Sequence, residues 1–126
     1  AIQDAGKAIH PSYVEGQMQG GAVQGIGWAL NEEYFFNEND TMDNASFLDY
    51  RMPTMLDVPP MPLQVFEFPH PDSPYGLNGV GEPPNLSSTP AVVNAAIDAL
   101  RPLGVTDLEM PLSPPRVWSA IQQASA

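Results

Sequence analysis

Gly16-Gln17-Met18-Gln19-Gly20-Gly21-Ala22-Val23-Gln24-Gly25-Ile26-Gly27-Trp28-Ala29-Leu30 is a run of fifteen residues without a charge. It closes a helical stretch that opens at Pro11-Ser12, with Ser12 as its cap and Glu15 as a capping-box partner. On a wheel advancing about 100° per residue, Met18, Ala22, Val23, Ile26, Ala29 and Leu30 share one broad apolar side. Gln17, Gln24 and Trp28 take the other side, among Gly20, Gly21 and Gly27. An ordinary surface helix carries Lys or Glu there. The run also holds five glycines: Gly16, Gly20, Gly21, Gly25 and Gly27. Each interior glycine costs about 0.8–1 kcal/mol against alanine, roughly several kcal/mol in all. Such a helix needs packing on both sides. Its glycines point to close approach by another backbone or by a flat ligand.

Gln17 and Gln24 lie about two turns apart on one line. Buried there, each amide needs partners, either neighbouring backbone or a polar ligand such as a pterin. Backbone is the better reading for Gln24, and the two readings stand level for Gln17. Gly25-Ile26-Gly27 lacks the third glycine and the preceding strand of a dinucleotide fingerprint, which is discarded.

Around this helix the pattern predicts one α+β unit over residues 1–126. A short strand lies at Ala1-Ile2-Gln3. Glu32 to Phe36 reads as a strand, Asn37 to Asp40 as a turn, and Thr41 onward as the return arm of a hairpin. Phe47 to Val58 fits a short helix or a loop. Leu63 to Phe68 alternates and reads as a strand. Pro69 to Ser88 is an irregular Pro/Gly-rich loop. Thr89-Pro90 starts a helix to about Leu100, stopped by Pro102-Leu103-Gly104. Ser113-Pro114-Pro115 starts the last helix. The expected architecture is a few helices packed on a small mixed sheet.

Inside the loop, Gly79-Val80-Gly81-Glu82-Pro83-Pro84 sets one carboxylate among small, apolar or rigid neighbours. Gly79 and Gly81 let the backbone turn and approach a ligand. Pro83 biases Glu82 toward an extended conformation, and Pro83 and Pro84 stiffen the exit. A carboxylate so placed, if buried, has a raised pKa and is poised as a general base. The plain alternative is a surface glutamate in a turn.

Composition narrows the partners. Net charge is −11, with Lys7, Arg51, Arg101 and Arg116 as the only basic residues. Nucleic acid and anionic membranes are poor partners for such a chain. No apolar stretch is long enough to span a bilayer. The absence of cysteine excludes disulfides and thiolate metal sites, and agrees with a cytoplasmic protein. The start at Ala1, with no charged n-region or apolar h-region, does not read as a signal peptide; its abruptness points to a fragment or cleaved subunit. His10 and His70 both precede proline and read as loop residues, so no metal site built by the protein is expected. Asp49-Tyr50-Arg51 suggests a local ion pair. Ser87 and Ser88 have no histidine at useful spacing.

Several segments together resemble one family. They are Val14 to Gly27, Asp49-Tyr50-Arg51-Met52-Pro53-Thr54, Tyr75 to Pro84, the helix after Pro90, and Met110-Pro111-Leu112-Ser113-Pro114-Pro115-Arg116-Val117. In that order they are similar to the molybdenum hydroxylases: the xanthine dehydrogenase, aldehyde oxidase and carbon monoxide dehydrogenase large subunits. The likeness covers nearly the whole chain, but only the C-terminal part of the family's molybdopterin-binding subunit. It implies that Glu82 is the active-site base. This base would deprotonate a molybdenum-held oxygen ligand that attacks an electron-poor carbon of a heterocycle or aldehyde. It implies that Gln17 hydrogen-bonds molybdopterin and that Gly79, Val80 and Gly81 bring backbone near the metal. Iron–sulfur clusters and FAD are then expected on other domains or subunits, with the remainder of the subunit as partner. The family often carries Lys where this chain has Asn78, so no cation role is carried over there.

Two rival readings remain in the residues. One is a non-catalytic interaction module whose glycine-rich helix docks on another chain. The other is an independent hydrolase using Glu82 and a water, which lacks a second acid or histidine.

Overall fold

The computed structural model describes residues 1–125. Its elements run β1 (Ile2–Asp4), α1 (Pro11–Leu30), β2 (Gln64–Phe66), α2 (Pro83–Leu100), a 3-10 turn at Arg101–Leu103, and α3 (Pro114–Ala124). The class is α+β, as expected. The sheet is not mixed: β1 and β2 form a two-stranded parallel pair, with Ile2 opposite Gln64 and Asp4 opposite Phe66. Parallel pairing needs a long crossover, and residues 5–63, α1 among them, supply it. The helices pack chiefly on each other, α1 against α2.

That helix pair rests on glycine. A Cβ on Gly25 would stand 2.0 Å from Ser88 Oγ and 2.9 Å from the Asn85 carbonyl oxygen. One on Gly21 would stand 3.0 Å from Pro84 Cβ and 3.2 Å from the Gly81 carbonyl oxygen. Thr89 Oγ1 donates across the contact to the Gly25 carbonyl at 3.2 Å. Met18, Ala22 and Ala29 are buried on the same side. Gly27 faces Pro53 and Glu32. Gly16 and Gly20 meet no described atom within 4 Å. So α1 is covered on one flank and in part on a second, and the expected cover on both sides is not met among the described residues.

A second core sits at the far end. Val105, Leu108 and Leu112 pack against Leu30, Ile97, Leu100 and Ile121. Gly104, at φ 86°, turns the chain back after α2, and the Leu112 amide donates to the Ala29 carbonyl at 2.7 Å. Arg116 pairs with Glu33 and donates to the Met110 carbonyl. Arg51 forms no ion pair among the described residues, so the local pairing with Asp49 is not made. Tyr50 instead donates to Glu32 Oε2 at 2.8 Å. Partial burial and this carboxylate push the Tyr50 hydroxyl pKa above its ordinary value.

Three local expectations are corrected. Helix α1 starts at Pro11 with His10 at the cap, and the Ser12–Glu15 capping box does not form. The His10 carbonyl takes the Tyr13 and Val14 amides at 3.0 and 3.2 Å, and Ser12 Oγ lies 3.1 Å from His10 Nδ1. The Glu32–Phe36 hairpin is reduced to one antiparallel bridge, Phe36 with Met42. Buried Asn44 replaces the ladder: its Oδ1 accepts the Phe35 amide at 2.9 Å and its Nδ2 donates to the Glu33 carbonyl at 2.7 Å. Helix α2 starts at Pro83, not at Thr89-Pro90, so the irregular loop ends at Glu82 and Pro90 lies inside the helix. Both X-Pro pairs look like helix starts, because proline suits the first helical turn. Packing of Pro84 and Asn85 on Gly21 favours the earlier one.

Gly25→Ala is expected to lower stability by about 1–3 kcal/mol, despite alanine's better helix propensity, because the helices must separate. Chemical denaturation of wild type and variant measures it. Adding Ser88→Ala should recover only part of the loss, since the Asn85 carbonyl still blocks.

Candidate active site

Glu82 is the residue at which the loop becomes α2. Its backbone is helical, φ −90° and ψ −34°, not extended as proline at the next position favours. The hydrogen bonds explain this. The Glu82 carbonyl accepts the amides of Asn85 at 3.0 Å and Leu86 at 3.3 Å, which a helical Glu82 allows. A helix leaves its first four amides without internal partners. A capping side chain bonds the amide of the second or third helical residue. Here the second is Pro84, which has no amide, and the third, Asn85, gives its amide to Glu82's own carbonyl. Neither amide that a capping side chain uses is available here. A glutamate at such a place would ordinarily spend its carboxylate on capping. Glu82 makes no side-chain cap bond, so its carboxylate is free for other chemistry.

The segment before it is held against α1. The Gly81 carbonyl lies against Gly21, and Gln17 Oε1 stands 3.4 Å from where a Gly81 Cβ would be. The structure therefore brings Gln17 and Gly81 together, with Glu82 next in the chain. Gly79 opens to space with no described atom within 4 Å of its Cβ position. Val80 and Gln17 line a cleft of about 290 Å³ with Asn78, Lys7, His10 and Tyr13. The His10 and Tyr13 rings stack there at 3.9 Å. The sequence does not single out Lys7 or Tyr13; Tyr13 lies four residues before Gln17, one helical turn away. Gln24 lies further along α1, exposed and outside this cleft.

Glu82 is exposed within this chain. The dry surroundings expected of a general base are not supplied by the described residues. No group of three or more His, Cys, Asp or Glu side chains able to hold a metal occurs among them. A flat organic cofactor asks the chain for polar contacts and room rather than for metal ligands. The residues suit such a group: Gln17 offers a carboxamide beside Gly81, and Gly16, Gly20 and Gly79 leave open room for a flat ring system. Among the described residues no helix is long and apolar enough to cross a membrane.

Residues 1–59 match the family described as the molybdopterin cofactor-binding domain. The nicotine 6-hydroxylase large subunit of Paenarthrobacter nicotinovorans is 40% identical over 120 residues, covering 95% of this chain and 15% of that protein. A putative xanthine dehydrogenase molybdenum-binding subunit of Escherichia coli K12 is 37% identical, covering 98% of this chain and 16% of its own length. The crystal structure of quinoline 2-oxidoreductase from Pseudomonas putida 86 superposes with a TM-score of 0.91 at 38% identity, over 98% of this chain and 16% of that one. The chain belongs to the molybdenum hydroxylase family. It spans about 15% of the length of the curated relatives it matches.

Gln17→Leu keeps the side chain's bulk and removes its donor and acceptor. In the complete protein it is expected to lower bound molybdopterin per chain severalfold while leaving α1 folded. Fluorescence of the oxidised pterin after acid release measures the first, and circular dichroism the second.

Proposed function

We propose that this chain is the part of a molybdopterin-dependent hydroxylase that carries the general base. The observation that supports the reading most is the uncapped carboxylate of Glu82, one residue after the Gly81 that meets Gln17. Bound molybdopterin supplies the redox centre at which substrate is oxidised. Gln17 holds the pterin through its carboxamide. Gly79, Val80 and Gly81 keep the loop slim enough to lie along it. Glu82 takes a proton from the water-derived nucleophile that attacks an electron-poor carbon of a heterocycle or aldehyde. A positioned base of this kind contributes about 10²–10⁴-fold to the rate.

The rest of the large subunit completes the site and covers Glu82. Its cover is wanted elsewhere too: Phe47, Leu48, Met55 and Leu56 are 89–97% exposed, an apolar surface that a free-standing protein seldom carries. Iron–sulfur clusters and FAD, held on other domains or subunits, would supply the route by which electrons leave. A nitrogen heterocycle is one substrate class in keeping with the nicotine, quinoline and xanthine enzymes that the chain is similar to.

Glu82→Gln in the complete, cofactor-loaded enzyme is expected to lower turnover at least 100-fold with nicotine, quinoline or xanthine as probe, at unchanged molybdenum content. Near-normal turnover with molybdenum bound would remove Glu82 from the chemistry. A complex free of molybdenum would favour the interaction-module reading instead.

A further inference from the structure

The loop that ends at Glu82 is gripped from its far side by the turn that follows β1. Asp4 is the centre of that grip. Its Oδ1 accepts the Gly6 amide at 2.9 Å and the Phe68 amide at 3.1 Å, and its Oδ2 accepts Asn78 Nδ2 at 3.3 Å. The backbone beside it repeats the hold. The Ala5 amide donates to the Phe66 carbonyl at 2.9 Å, and the Asn78 amide donates to the Ala5 carbonyl at 3.0 Å. Gln3 Nε2 donates to the Gly79 carbonyl at 3.2 Å. Gly6 sits at φ 66°, and a Cβ there would fall 2.2 Å from the Gly76 carbonyl oxygen. The turn and the loop therefore lie backbone against backbone.

Residues 78 and 79 are thus fixed by β1, and residue 81 by α1. Val80 alone lies between the two holds, and Glu82 follows directly. We propose that Asp4 is a positioning residue for Glu82: it sets the course of residues 76–82 and so where the Glu82 carboxylate stands. The inference rests on the reading of Glu82 as the base. A carboxylate at position 4 suits all three donors at once and bonds them more strongly than a neutral amide. A carboxylate accepts at both oxygens, whereas asparagine accepts at one and would set its own amide donors against those of Asn78. A shift of about 1 Å in a catalytic group costs on the order of 100-fold in rate.

The test uses the complete, cofactor-loaded enzyme as wild type, Asp4→Asn, and the swap Asp4→Asn with Asn78→Asp. Asp4→Asn should raise amide hydrogen exchange over residues 76–82, leave it unchanged over 83–100, and lower turnover about 10–100-fold at equal molybdenum content. The swap restores one donor facing one acceptor and should recover most of the protection and the turnover. Unchanged exchange at 76–82 in Asp4→Asn would overturn the inference. So would exchange raised throughout the chain, or a swap no better than the single variant. If exchange and rescue follow as stated but Glu82→Gln turns over normally, the clamp stands and the assignment of the base is what fails.

Discussion

Helices α1 and α2 approach as closely as they do because Gly21 and Gly25 have no side chains. The start of α2 then lies directly on α1, with Pro84 and Asn85 against the two glycines. Gly81 and Glu82 inherit their place from that contact. Gly81 is carried onto the same face and meets Gln17, and Glu82 follows at the helix start. The helix propensity surrendered at these glycines is small beside what the contact positions.

The paired prolines have a second consequence. They begin α2 with two residues that have no amide, and the Glu82 carbonyl takes the amide of Asn85. A helix start normally attracts a nearby carboxylate into capping. Here that competitor is removed by covalent structure, so the acid stays available. Asp4 does the complementary work on the other flank, where one carboxylate collects three donors and fixes the loop's approach. One acid is fully engaged in structure, and the other is left free by it.

Much of this was legible in the residues. The uncharged glycine-rich helix, its limits at Pro11 and Leu30, the strand around Val65, the stop at Gly104 and the last helix at Pro114 all follow from periodicity and turn chemistry. The start of α2 was not, because Pro83 and Pro90 give the same local signal and only the contact with Gly21 separates them. The 32–44 hairpin misled because the Asn44 side chain takes the bonds a ladder would use. The role of Asp4 was hidden for a different reason. Its partners Phe68 and Asn78 lie 64 and 74 positions away, and nothing local marks it as more than a turn residue. Glu82 stood out by its glycine and proline neighbours and Gln17 only by the family resemblance, yet the dryness expected around the acid does not come from this chain, where Glu82 faces solvent.

The central claim is that the uncapped acid at the start of α2 and the amide of α1 face one cofactor. An experimental structure of the complete, cofactor-loaded enzyme tests it directly. The account predicts the Gln17 carboxamide in hydrogen-bond contact with the pterin, and the Glu82 carboxylate beside the metal with no bulk water around it. A Glu82 side chain open to solvent in that structure, or a cofactor seated away from the Gln17 face, would contradict it.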